Sequence, residues 1–78
     1  MRLLLVEDDE MIGEPVVDTM RGAGYAIDWA RDGREAELSL AHDVYDLVLL
    51  DLGLPKADGI DVLNRYRRQG GSAPVIIL

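Results

Sequence analysis

Residues Leu47-Val48-Leu49-Leu50 form an unbroken aliphatic run that ends on Asp51 and then breaks at Gly53 and Pro55. Large aliphatics without polar alternation read as a strand buried on both faces, which is the habit of a central parallel strand. Asp51 therefore stands at that strand's carboxyl end, where open α/β sheets bind their ligands. For a lone Asp the competing explanation is a helix N-cap or a solvated loop acid. Asp51 is not alone, because Leu3-Leu4-Leu5-Val6 leads into Glu7, Asp8 and Asp9 in the same strand-end position.

The remaining pattern supplies the connections. A helix is expected from about Met11 to Ala23, with Ile12, Val16, Met20 and Ala23 at helical spacing and Gly22 and Gly24 marking its end. Pro15 would remove a hydrogen bond inside it, so a late start or a kink is expected there. Tyr25 to Ala30 reads as a second strand whose mixed polarity suits an edge. Asp32-Gly33 forms a turn and Arg34 to His42 a helix with Ala36, Leu40 and Ala41 as its apolar stripe. After the central strand, Gly53 to Gly59 reads as a loop. A helix then runs from about Ile60 to Gln69, burying Ile60, Leu63 and Tyr66, and stops at Gly70-Gly71. Pro74 opens a last strand, Val75 to Leu78.

This β-α-β-α-β-α-β order calls for parallel strands joined by right-handed crossovers. With the polar second strand at an edge, strands one and three become neighbours and the topological switch point falls between them. Glu7, Asp8 and Asp51 then share one crevice. Packed like charges raise a pKa or require a cation, and an all-oxygen donor set selects a hard ion, Mg²⁺, together with phosphate oxygens. Asp51 could then accept a phosphoryl group as an acyl phosphate. The competing explanation for the run Glu7 to Glu10 is a cap that favours the dipole of the first helix, and it suits Asp9 and Glu10 best.

Composition narrows the classes further. The 78 residues make one small domain with 8 basic and 15 acidic residues, a net charge of −7 that argues against direct contact with nucleic acid or an anionic membrane. Cysteine is absent, which excludes disulfides and thiolate metal chemistry. The first residues are too acidic and too short in apolar content for a signal peptide or a membrane span, so a cytoplasmic protein is expected. His42, the single histidine, reads as a solvated surface residue, Trp29 and Tyr66 as packing residues, and Arg65, Arg67 and Arg68 as a solvated face.

Three phrases together resemble the receiver domain of two-component response regulators. They are Leu4-Leu5-Val6-Glu7-Asp8-Asp9, the run from Asp46 through Pro55 to Lys56-Ala57-Asp58-Gly59, and Pro74-Val75-Ile76-Ile77-Leu78. The resemblance is nearest to the branch whose receivers precede a winged-helix DNA-binding domain. It implies a flavodoxin-like parallel sheet with strand order 2-1-3-4, and residues 1–78 as the amino-terminal (βα)3β part of a (βα)5 domain. It also implies Asp51 as phosphoacceptor from a sensor histidine kinase, Asp8 as a direct Mg²⁺ ligand, Glu7 acting mainly through water, and the Gly53 carbonyl as a further ligand. Pro55 and Gly59 match the loop that shapes the pocket.

The family's Ser or Thr after strand four and its Lys at the end of strand five would fall beyond Leu78. Lys56, in the loop after strand three, cannot be assumed to replace that Lys. The 78 residues are either the ordered portion of a longer chain or a truncated fragment. In a fragment the strand Val75 to Leu78 becomes a bare edge, and self-association by strand pairing or exchange is expected. Two rivals share the site. A Mg²⁺-dependent aspartyl phosphohydrolase usually carries a second Asp two residues on, where this chain has Gly53, and an interaction module would keep the fold without accepting phosphate.

Overall fold

The computed structural model describes residues 1–51 and 56–78, with the side chains of residues 56–58 left out of the description. Among the described residues four strands and three helices alternate: β1 (Arg2–Val6), α1 (Glu10–Gly22), β2 (Ala26–Ala30), α2 (Gly33–Leu40), β3 (Leu47–Leu50), α3 (Lys56–Arg68) and β4 (Val75–Ile77). The strands are parallel in the order β2-β1-β3-β4, the flavodoxin-like arrangement expected from the sequence. β1 lies between β2 and β3, with Val6 in register with Ala30 on one side and Leu50 on the other.

Strand alternation divides the core into two layers. Leu4, Val6, Val48 and Leu50 pack with Ala36 and Leu40 of α2 and with Val62 and Tyr66 of α3. Leu3, Leu5 and Leu49 face the other way, against Val17 of α1. All four aliphatics of β1 are buried, as a run without polar interruption requires. β2 is the polar edge strand, its Asp28 and Trp29 half-buried.

The caps follow local chemistry. Asp9 caps α1, its side chain accepting from the N–H of Met11 at 2.8 Å, and Asp32 caps α2 by accepting from Glu35 N–H at 2.8 Å. Gly24 and Gly70, just past α1 and α3, take φ of 92° and 87°, a conformation that side chains with a Cβ resist.

Several boundaries and faces differ from expectation. α1 does not start late: it begins at Glu10 and includes Pro15, because the Asp9 cap and the bonds from Ile12 and Gly13 N–H to the Asp9 carbonyl set its first turn before the proline is reached. Its buried positions are Gly13 and Val17, whereas Ile12 is exposed and Ala23 lies outside the helix on the surface. α3 begins at Lys56, so residues 56–59 are helical and not loop. Gly59 is tolerated near its start because it is buried beside Leu50, and a helical glycine costs only about 1 kcal/mol. Ile60 is exposed and Val62 takes its place in the core, while Ala41 caps the end of α2 on the surface. β2 starts at Ala26, one residue after the expected Tyr25, and His42 lies exposed beyond α2.

Candidate site at the carboxyl ends of β1 and β3

The ladder hydrogen bonds continue one residue past each central strand. Glu7 N–H donates to the Ala30 carbonyl at 3.0 Å, and Asp51 N–H donates to the Val6 carbonyl at 3.0 Å. The backbone that carries both acids is therefore an extension of the sheet, which makes it a rigid platform. One carboxylate oxygen from each of Glu7, Asp8 and Asp51 can be chosen so that all lie within 4.8 Å of one another. Two remote segments thus deliver their acids to one crevice at the switch point between β1 and β3.

The three acids differ in exposure. Glu7 is 1% exposed, Asp51 is half-buried and Asp8 is exposed. Glu7 Oε1 accepts the Asp9 N–H at 3.1 Å, whereas Oε2 is buried with no hydrogen-bond partner among the described residues. Burial pushes the Glu7 carboxyl up to about 7, and the neighbouring Asp51 and then Asp8 act in the same direction, while the Asp9 N–H pulls it down. The arginines that form ion pairs among the described residues, Arg2, Arg31 and Arg65, go to Asp28, Glu10 and Glu37, acids outside this trio.

A buried carboxyl with an orphaned oxygen is costly unless something neutralises it. The acids gathered here among the described residues are carboxylates partly open to solvent, which suits a hard divalent ion that keeps some of its water, Mg²⁺ above all. Glu7, Asp8 and Asp51 are the residues present that fit such an ion.

Gly53 and Pro55 lie outside the described residues, as does the side chain of Lys56, so their expected roles are not placed. Gly59 lies inside α3. Asp9 serves as a helix cap, and Glu10 pairs with Arg31 at 2.6 Å. Trp29, expected as a packing residue, does pack against the core, and its indole N–H also donates to the Glu7 carbonyl at 2.8 Å, a role the sequence reading did not include. The one available signal was its place near the end of β2, beside the strand that carries the acids.

Over residues 3–78 the chain matches the family described as the response regulator receiver domain. It is 42% identical over 78 residues to the response regulator protein PmrA of Pseudomonas aeruginosa, and 44% identical over 78 residues to the transcriptional regulatory protein QseB of Haemophilus influenzae. Each match takes in 100% of this chain and 35% of the relative, so the chain spans about a third of the length of these curated relatives. Among solved structures it is similar to the receiver domain of the Francisella response regulator 1452, with a TM-score of 0.88 and 32% identity over 97% of this chain and 63% of that one. The non-phosphorylated HemR receiver domain of Leptospira biflexa gives a TM-score of 0.88 and 36% identity over 97% of this chain and 61% of that one. The family pattern runs through nearly the whole sequence and the same sheet underlies the solved relatives, and the chain therefore belongs to the response regulator receiver domain family of two-component systems.

Proposed function

We propose that Asp51 accepts a phosphoryl group from a sensor histidine kinase, with Glu7, Asp8, Asp51 and the Gly53 carbonyl as the protein's ligands for Mg²⁺. The observation that carries this reading is Glu7, a buried carboxyl with one oxygen that finds no donor among the described residues, grouped with two further acids that a distant strand helps to supply. Such a site destabilises the empty protein and gains most from a cation.

The chemistry asked of the chain is small. An Asp51 carboxylate oxygen attacks phosphorus, an oxygen–phosphorus bond forms, and the phosphorus–nitrogen bond to the donor imidazole breaks with its electron pair leaving on nitrogen. The bond from Asp51 N–H to the Val6 carbonyl fixes the nucleophile's backbone at the sheet end. When bound, Mg²⁺ supplies charge neutralisation among the acids and the phosphoryl oxygens. The chain accepts the group and does not turn it over, so it is not an enzyme in the usual sense.

Incubation with a small phosphodonor and Mg²⁺ followed by intact mass tests this directly. One stable phosphoryl adduct, lost in Asp51→Asn, is the expected result. Rapid release of inorganic phosphate without an adduct would indicate a hydrolase, and an inert protein would indicate an interaction module.

The curated relatives are named as regulators of transcription, and this chain is proposed to act as the amino-terminal part of the receiver in a DNA-binding regulator of the cytoplasm. With a net charge of −7 it would not itself contact DNA. None of the described helices is long and apolar enough to cross a membrane. β4 pairs with β3 and lies at the edge of the sheet, with Ile76, Ile77 and Leu78 about half exposed. Residues 1–78 on their own are proposed to self-associate through that edge. A concentration-independent monomer in light scattering would contradict this.

A further inference from the structure

We infer that Trp29 is a positioning residue for the acidic pair, and that Gly13 is glycine to admit it. The inference rests on the proposed Mg²⁺ site and names the part of the chain that holds it in shape. Glu7 is gripped at both ends of its peptide backbone: its N–H by the Ala30 carbonyl, and its carbonyl by the Trp29 indole N–H at 2.8 Å. A carbonyl held in this way sets the direction in which the chain leaves β1, and therefore where Glu7 and Asp8 present their carboxylates.

The indole is itself held on two sides. A Cβ added at Gly13 would overlap the six-membered ring of Trp29, so the ring lies directly against the start of α1 in space that only glycine leaves open. On its other contact, the Arg31 guanidinium stands 4.0 Å from the ring centroid and is tied to Glu10 of α1 at 2.6 Å. Edge strand, acid loop and first helix turn are thereby locked to one ring. Groups that orient metal ligands typically change metal affinity about 10- to 100-fold when removed.

The experiment measures Mg²⁺ affinity by calorimetry for the wild-type chain, Trp29→Phe, Gly13→Ala and Tyr66→Phe. Trp29→Phe keeps an aromatic ring and removes the donor, and Gly13→Ala displaces the ring from the other side. Tyr66→Phe removes the hydroxyl that accepts from Ala73 N–H at 2.9 Å, an interaction on the α3–β4 connection that controls for simple loss of stability. The first two are expected to bind Mg²⁺ about tenfold more weakly, and the third within about twofold of wild type.

In the wild-type protein the indole N–H resonance, unique because the chain has 1 Trp, is expected to shift on Mg²⁺ addition with the calorimetric midpoint. This arm needs no variant to fold. Wild-type affinity in Trp29→Phe, or an indole signal that Mg²⁺ leaves unmoved, overturns the positioning role while the metal site stands. A wild-type chain that takes up no Mg²⁺ overturns the metal site first and the positioning role with it.

Discussion

Glu7, one residue past β1, and Asp28, on the adjacent strand β2, are acids that the fold treats in opposite ways. Asp28, on β2, receives the Tyr45 hydroxyl at 2.6 Å and the Arg2 guanidinium at 2.8 Å. Its carboxyl is held below the usual carboxylate range, chiefly by the tyrosine hydrogen bond and then by Arg2. Glu7, at the end of β1, is more deeply buried, keeps one oxygen without a donor among the described residues, and has its carboxyl pushed up to about 7. An acid supplied with donors serves the structure, here by joining β1, β2 and the approach to β3. An acid gathered with like charges, one oxygen finding no donor among the described residues, is strained, and that contrast marks this end of the sheet as the candidate site.

The largest effect expected from breaking this contrast is at Glu7. Unfolded, the carboxyl loses its proton near 4.5; folded, near 7. Between those values the folded state binds more protons, so stability present below pH 4.5 is lost as pH rises to 7. The loss is at most about 3 kcal/mol, and less where water at the open side of the crevice screens it. Urea unfolding across that range without divalent ions measures it. Glu7→Gln should flatten the slope, and a variant with the wild-type slope would refute the assignment. Saturating Mg²⁺ should restore wild-type stability at neutral pH and do little for Glu7→Gln.

A smaller effect is expected at the satisfied acid. Tyr45→Phe removes the shortest bond to Asp28 and should cost about 1 kcal/mol in urea unfolding while leaving Mg²⁺ affinity unchanged. Because Asp28 titrates below its normal range, this contribution is present at neutral pH and fades as pH falls through the lowered value. A loss of metal affinity in Tyr45→Phe would mean the two regions are coupled. The smallest effect belongs to Arg2→Ala, whose exposed ion pair with Asp28 should matter least and vanish in high salt. A salt-independent loss in Arg2→Ala would show that its aliphatic stem packs on Tyr45 and that charge is not its main role.

Much of this was legible beforehand because it depends on local composition. Continuous aliphatic runs in β1 and β3 read as central strands, and the polarity of Asp28 in β2 placed that strand at an edge. These two facts lead to the expectation that β1 lies between β2 and β3 and that Glu7, Asp8 and Asp51 meet, and the family resemblance adds β4 beside β3. Asp9 and Asp32 cap helices because their side chains reach N–H groups only two or three residues away.

Helix phase was less legible. Of the expected stripe Ile12, Val16 and Met20, the last two pack half-buried against the core while Ile12 is exposed, and the most buried positions of α1 are Gly13 and Val17. Apolar counting overlooks a glycine, and here Gly13 of α1 lies directly against Trp29 of β2, whose ring fills the space a side chain would take.

The sequence alone indicated the strands and which acids share an end of the sheet, with the family resemblance supplying the full strand order, because burial on two faces and edge polarity are properties of residue pattern. Only the tertiary structure decided which residues of α1 are most buried, that Trp29 holds the Glu7 carbonyl, and that Glu7 is buried with one oxygen finding no donor among the described residues. Those depend on distances between segments far apart in the chain, where a single bond or a missing Cβ decides the outcome and no local pattern records it.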